Sequence, residues 1–156
     1  MDAATAITRD HDEIRHLVDR IVAMEEDVEF LIAQLRLRVA AHTATTETQV
    51  YPPLAHEDPG CAVLTDKHAT QHRSIGSDLD AVERALGTED FAASVTEFGD
   101  RVARELDSEE TTVLPLLRKL LSAERQRELG HRFELRWLAE MDVQTPRPKP
   151  PQEPTA

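Results

Sequence analysis

The stretch Cys61–Leu86, CAVLTDKHATQHRSIGSDLDAVERAL, carries apolar residues at Cys61, Leu64, Ile75, Leu79, Val82 and Leu86. They recur every three or four residues, the spacing that gathers side chains on one face of an α-helix. His68 and His72 fall on the same stripe. At i and i+4 their imidazoles point the same way from adjacent turns. Gly87 and Thr88 follow, reading as a C′ glycine and the N-cap of the next helix.

The same periodicity extends in both directions. Ile7, His11, Ile14, Val18 and Ile21 predict a first helix over residues 3–24, and the acidic run EEDVE supplies a turn and a favourable helix N-terminus. Val28, Leu31, Leu35 and His42 begin a second stripe that runs to about Ala55, where HEDPG breaks the chain. Phe91, Val95, Phe98, Val102, Glu105, Glu109, Val113 and Leu117 form a fourth. Ser122 caps a short fifth helix carrying Leu129, Phe133, Trp137 and Met141. Pro52 and Pro115 lie near helix C-termini, where a kink or stop is tolerated. Four long amphipathic helices with short connections predict an all-α, up-down-up-down four-helix bundle over residues 1–141, with a short fifth C-terminal helix. Residues 142–156, DVQTPRPKPPQEPTA, hold five prolines and no apolar stripe, so a disordered or extended tail is expected.

Composition narrows the function. A chain of 156 residues supports one domain with one core. Only 4% aromatic residues and five glycines point away from all-β architecture. A net charge of −12 argues against a nucleic-acid partner, which needs a basic footprint, and against anionic surfaces. The single cysteine, Cys61, excludes an internal disulfide and fits a reducing cytoplasm. The N-terminal MDAATAITRD has no apolar core of a signal peptide, and no run approaches a membrane span of about 20 apolar residues.

One segment is written twice. His42–Leu54, HTATTETQVYPPL, aligns without a gap on Glu105–Leu117, ELDSEETTVLPLL, matching Glu47 to Glu110, Thr48 to Thr111 and Val50 to Val113. Each copy begins with an ionisable residue on an apolar stripe. Together with His11, His68, His72 and Glu109, these make six ionisable positions on core faces, whereas His16, His56 and His131 lie off the stripes. His11 precedes Glu25 by 14 residues and His42 follows Asp27 by 15; His72 precedes Gly87 by 15 and Glu105 follows Thr88 by 17. In antiparallel helices such equal offsets place residues at one level, so all four rods bring an ionisable group to one layer. Each uncompensated buried charge costs several kcal/mol. Six would exceed the stability of a domain, about 5–15 kcal/mol. The layer therefore closes into a hydrogen-bond network or binds a cation. Imidazoles with carboxylates favour iron, manganese or zinc over calcium or magnesium.

These residues resemble the hemerythrin-like, or HHE cation-binding, domain family over residues 3–120. The family pattern is an early His, then HxxxE, HxxxH and HxxxxD/E, often with an EExxLFP-like ending. HDEIRHL supplies His11, HATQH supplies His68 and His72, and VYPPL and VLPLL supply two endings. The resemblance implies a four-helix bundle around a non-haem di-iron site bridged by oxygen and two carboxylates. It further implies reversible oxygen binding, sensing of oxygen or redox state, handling of nitric oxide or peroxide, or iron storage. The sequence departs from the pattern twice. Thr46 stands at the HxxxE glutamate, with Glu47 one step on, and Glu105 stands where the fourth helix has its histidine. Residues at i and i+4 differ by about 40° around a helix, but those at i and i+5 by about 140°. Glu47 is thus poorly aimed from His42, and Glu109 is better aimed than Glu110. The candidate metal set is His11, His42, His68, His72 and Glu105, with Glu109 or Glu110. An added carboxylate favours the oxidised metal and makes reversible oxygen carriage less favourable, and Thr46 leaves a position open to a small ligand.

Two functions follow as expectations. One is a cytoplasmic hemerythrin-like protein with non-haem iron, manganese or zinc being the other metals of choice, that senses or handles a diatomic or peroxide ligand as a monomer. The other is a degenerate, metal-free bundle acting as an interaction module, in which Glu105 and Glu109 pair with the histidines.

Overall fold

Asp2 opens the chain's first helix by accepting the Thr5 N–H on its carboxylate at 2.8 Å, satisfying a donor that helix N-termini leave unpaired. In the computed structural model, which describes residues 1–25 and 27–144, this helix, α1, spans Ala3–Val22. Met24 turns the chain with φ 54°, and Asp27 caps α2 (Val28–Thr45) by accepting Phe30 N–H at 3.2 Å. The second rod is not one uniform α-helix. Thr46–Val50 forms a π-helical turn, and α3 (Tyr51–Glu57) continues from it. Pro52 and Pro53 offer no N–H to the carbonyls behind them, and the turn widens by one residue so that Tyr51 N–H reaches Thr46 O.

A 3₁₀ turn, Pro59–Cys61, leads into α4 (Ala62–Ala85). Gly87, at φ 81°, takes the left-handed conformation expected of a C′ residue. Thr88 does not become the N-cap of the next helix. Its hydroxyl donates to Ala85 O at 2.6 Å and accepts from Asp90 N–H at 3.3 Å, and the cap position falls on Asp90. α5 (Phe91–Leu120) then runs through Pro115 for five further residues. Ser122 does cap α6 (Ala123–Gln144), accepting Arg125 N–H at 3.3 Å. With 22 residues α6 is a full-length helix rather than a short one, and it takes in residues 142–144 that were expected to belong to the tail. The rest of the proline-rich segment, 145–156, lies outside the described residues.

The bundle closes as a ring in which α1 packs on α2, α2 on α4, α4 on α5 and α5 on α1. α6 lies across α1 and α2. Its close approach at Gly130 is obligatory, because a Cβ there would collide with the backbone of Met1, Asp2 and Ala3, whose amide nitrogen would be 2.9 Å away. The apolar stripes bury two clusters. One joins Ile7, Val50, Leu54, Val113, Leu117 and Phe133, and the other joins Ile14, Leu31, Leu35, Leu79, Phe98 and Leu106. No helix among the described residues is long and apolar enough to cross a membrane.

Candidate metal centre

Between the two apolar clusters lies a polar layer. α1 supplies His11, α2 supplies His42, α4 supplies His68 and His72, and α5 supplies Glu105 and Glu109; none is more than 6% exposed. The sequence spacing explains the convergence. His11 sits between Ile7 and Ile14, His72 between Ala69 and Ile75, and Glu105 and Glu109 between Val102 and Val113, all buried on one helical face. His16, His56 and His131 are exposed, as their off-stripe positions require.

The six side chains form two trios, His11–His42–Glu109 and His68–His72–Glu105, each offering ligand atoms that lie within 4.8 Å of one another. Glu109 stands between them. Its Oε2 is 3.1 Å from His11 Nε2, 3.3 Å from His42 Nε2 and 3.3 Å from His72 Nε2. Glu105 Oε1 lies 2.5 Å from His68 Nδ1 and 3.6 Å from His72 Nε2. The His42 and His72 rings, 4.9 Å apart between centroids, join the two groups. The first copy of the repeated segment thus contributes His42 to one trio, and the second contributes Glu109 to that trio and Glu105 to the other.

A second set of groups fixes the first. Asp10 Oδ2 lies 2.9 Å from His42 Nδ1, and Arg38 donates to Asp10 Oδ1 at 2.9 Å while its guanidinium covers the Trp137 ring at 4.8 Å. Glu110 Oε1 lies 2.8 Å from His11 Nδ1 and accepts from Arg15 at 2.9 Å. Both histidines therefore turn Nε2 toward the centre, the arrangement in which a carboxylate behind a metal-ligating imidazole sets its tautomer and orientation. Thr112 donates its hydroxyl proton to Ser108 O at 2.5 Å and so accepts from His68 Nε2 at 3.0 Å. Tyr51 donates to Glu109 Oε1 at 2.7 Å.

Electrostatics follow from these contacts. Burial disfavours a charge on His42, but hydrogen bonds and charges from Asp10 and Glu109 outweigh it and raise its pKa to about 10. Burial pushes Asp10 and Glu109 up; His42 and Arg38 hold Asp10 below the usual carboxylate range, and His72, His11 and His42 hold Glu109 well below it. The bond from His11, with Arg15 behind it, lowers Glu110 to about 2 against a smaller burial effect. Burial, then the Glu109 charge, pushes the Tyr51 phenol up, keeping it a proton donor.

The sequence left Glu109 or Glu110 as the last carboxylate, and the structure brings Glu109 into a trio. Glu110 is not part of either trio. Five residues from Glu105, it is rotated by about 140° and serves as the outer partner of His11. Glu47, its counterpart in the repeat, also points outward and pairs with Arg73 at 3.1 Å. Thr46 is fully buried, and its hydroxyl donates to its own helix at His42 O and Thr43 O. Asp10 and Tyr51 were not singled out by the stripes. Asp10 lies one residue off the α1 face. Tyr51 follows His42 by nine residues, about 180° away on a regular α-helix, and only the widened turn, which absorbs one residue, brings it round to about 80°.

The donors present fit a transition metal. Each trio offers two imidazoles and one carboxylate, a set suited to iron, manganese or zinc. His72 is 2% exposed, yet neither ring nitrogen makes an aligned hydrogen bond. A buried imidazole in that condition is a deficit that a cation at Nε2 would satisfy.

Comparisons with known proteins agree with this fold. No curated protein matches the chain. The fold is similar to the crystal structure of a hemerythrin HHE cation binding domain-containing protein from Mycobacterium kansasii, with TM-score 0.81 and 18% identity, covering 92% of this chain and 89% of that one. Residues 2–117 match the family described as hemerythrin HHE cation binding domain. The chain therefore belongs to the hemerythrin HHE cation-binding domain family.

Proposed function

We propose that the protein is a non-haem di-iron protein that senses or handles a small oxidant such as dioxygen, peroxide or nitric oxide. The observation that carries this reading is the pair of two-histidine, one-glutamate trios that share Glu109 as a common neighbour. His11, His42 and Glu109 would hold one ion, and His68, His72 and Glu105 the other. When bound, the ions supply a redox couple and a Lewis acid in a dry core. The chain's own contribution is orientation. Asp10 and Glu110 hold His42 and His11 by Nδ1, Thr112 holds His68 by Nε2, and Tyr51 keeps a proton 2.7 Å from Glu109 Oε1. The apolar clusters on either side keep bulk water away from the layer.

The carboxylate at Glu105, where the family pattern has histidine, gives the site four imidazoles and two inner carboxylates. That ligand charge stabilises the oxidised state, which favours redox sensing or peroxide and nitric oxide chemistry over reversible oxygen carriage. We further propose that the protein acts as a monomer in the cytoplasm.

A second reading is motivated by the hydrogen bonds themselves. Glu109 already accepts from Tyr51 and lies against three imidazoles, so a metal-free network could stabilise the bundle in an interaction module. Protein purified after growth with iron separates the two. The di-iron reading predicts about two iron ions per chain, near-ultraviolet ligand-to-metal absorption and a melting temperature that rises on iron addition. Metal-free protein whose melting temperature ignores iron would establish the second reading instead.

A further inference from the structure

We infer that the cleft between α2 and α4 is the route by which a small uncharged molecule reaches the buried layer, ending at His72 and kept open by Gly76. The inference rests on the metal-site reading for its purpose, but the route is defined by the cleft alone.

The clefts that approach the layer among the described residues differ in what they touch. The cleft under α6 reaches Asp10, which stands behind His42 and belongs to neither trio. The cleft between α4 and α5 reaches Glu105 past Arg101, Arg104, Ser74 and Ser108. It ends on a carboxylate and has polar walls. The cleft between α2 and α4, about 500 Å³, reaches His72 itself. Val39, Ala40, Ala44 and Leu79 form the apolar part of its lining. Arg36 and Arg73 also line it, but they are paired with Asp80, Glu83 and Glu47, and beyond them lie the carboxylates of Glu105 and Glu109, so an anion meets acidic side chains throughout. An uncharged di- or triatomic molecule meets no such obstacle. His72 belongs to the His68–His72–Glu105 trio, so a molecule that reaches the end of the cleft arrives at the edge of that site.

Gly76 explains why the space exists. It lies within α4, where glycine weakens a helix relative to alanine. Its backbone needs no glycine, since Gly87 is the described glycine with positive φ. Nor does a close neighbour require it, because a Cβ at Gly76 would meet nothing within 4 Å. Gly130 and Gly99, whose added Cβ atoms would press on backbone or on Val18, show what a packing glycine looks like in this fold. What Gly76 leaves is room in the cleft. Across the mouth, Arg73 of α4 pairs with Glu47 of the π-helical turn at 3.1 Å. The Arg73 side chain is 64% exposed, and exposed pairs of this kind hold weakly, so the contact can open without disturbing the bundle.

The test uses Gly76→Leu and, from the opposite wall, Ala40→Leu to fill the cleft, with Ser74→Leu in the α4–α5 cleft as control. In the metal-free protein, deuterium exchange at the imidazole C2 position, read by mass spectrometry, uses water itself as the uncharged probe. In ferrous-loaded protein, stopped-flow absorbance follows nitric oxide binding. Filling the α2–α4 cleft is expected to slow His72 exchange and nitric oxide association at least tenfold, with iron content and melting temperature preserved and Ser74→Leu at the wild-type rate. Unchanged rates in both filled variants, or slowing in Ser74→Leu alone, overturn the inference. Wild-type protein that takes up no iron would refute the metal-site reading, and the exchange measurement would still decide the route.

Discussion

Asp10 and His42 form a buried ion pair in the metal-free protein, and its consequence is a definite pH profile. The His42 pKa rises from 6.5 to about 10, so the stability it contributes is complete below pH 6.5 and is lost as pH climbs through 10. The upper bound on that contribution is about 5 kcal/mol. Glu110, lowered from 4.5 to about 2, contributes above pH 4.5 and loses its contribution as pH falls through 2. The melting temperature of metal-free protein should therefore be highest between these limits and decline toward both acid and alkali. Asp10→Asn should flatten the alkaline decline in calorimetry, and a profile identical to wild type would contradict the pairing. The same residues matter when metal is present. Because they orient ligating imidazoles from behind, Asp10→Asn and Glu110→Gln should each weaken metal binding about 10–100-fold in chelator competition. Since His42 must give up its Nε2 proton to bind, metal affinity should also rise with pH across the neutral range.

Each helix places its part of the site by ordinary rules, and the departures are local. α6 makes its tightest backbone approach at Gly130, and Gly130→Ala should cost about 1–3 kcal/mol in denaturant unfolding, because its Cβ would overlap the N-terminal backbone. A neutral result would mean that α6 can lift from α1. The apolar stripes made α1, α2, α4 and α5 legible in the sequence, and equal offsets from the turns made the shared layer legible as well. His11, His42, His68, His72, Glu105 and Glu109 all arrive there. What the stripes concealed is what breaks a 3.6-residue period. The π-helical turn carries Tyr51 to Glu109, and no periodic reading anticipates a widened turn. Asp10 and Glu110 lie off the core faces because they act from behind the imidazoles. Thr88 lost its cap to Asp90 because its hydroxyl turned back to Ala85 O. The end of α6 was hidden because Asp142 and Val143 extend a helix that has no further core to cover.

For the molecule as a whole, two apolar clusters enclose a layer of six ionisable side chains contributed by all four rods of the bundle. Such a layer has to be neutralised from within or by a cation, since isolated buried charges would cost more than a domain of this size can offset. The structure satisfies most of it by internal pairing and leaves His72 short. The central claim is that two ions sit in the two trios. Anomalous diffraction at the iron edge from crystals of iron-loaded protein tests it most directly. The account predicts two peaks, one bounded by His11, His42 and Glu109 and the other by His68, His72 and Glu105. A map with no peak in the layer, or with iron bound only at surface carboxylates, would contradict it.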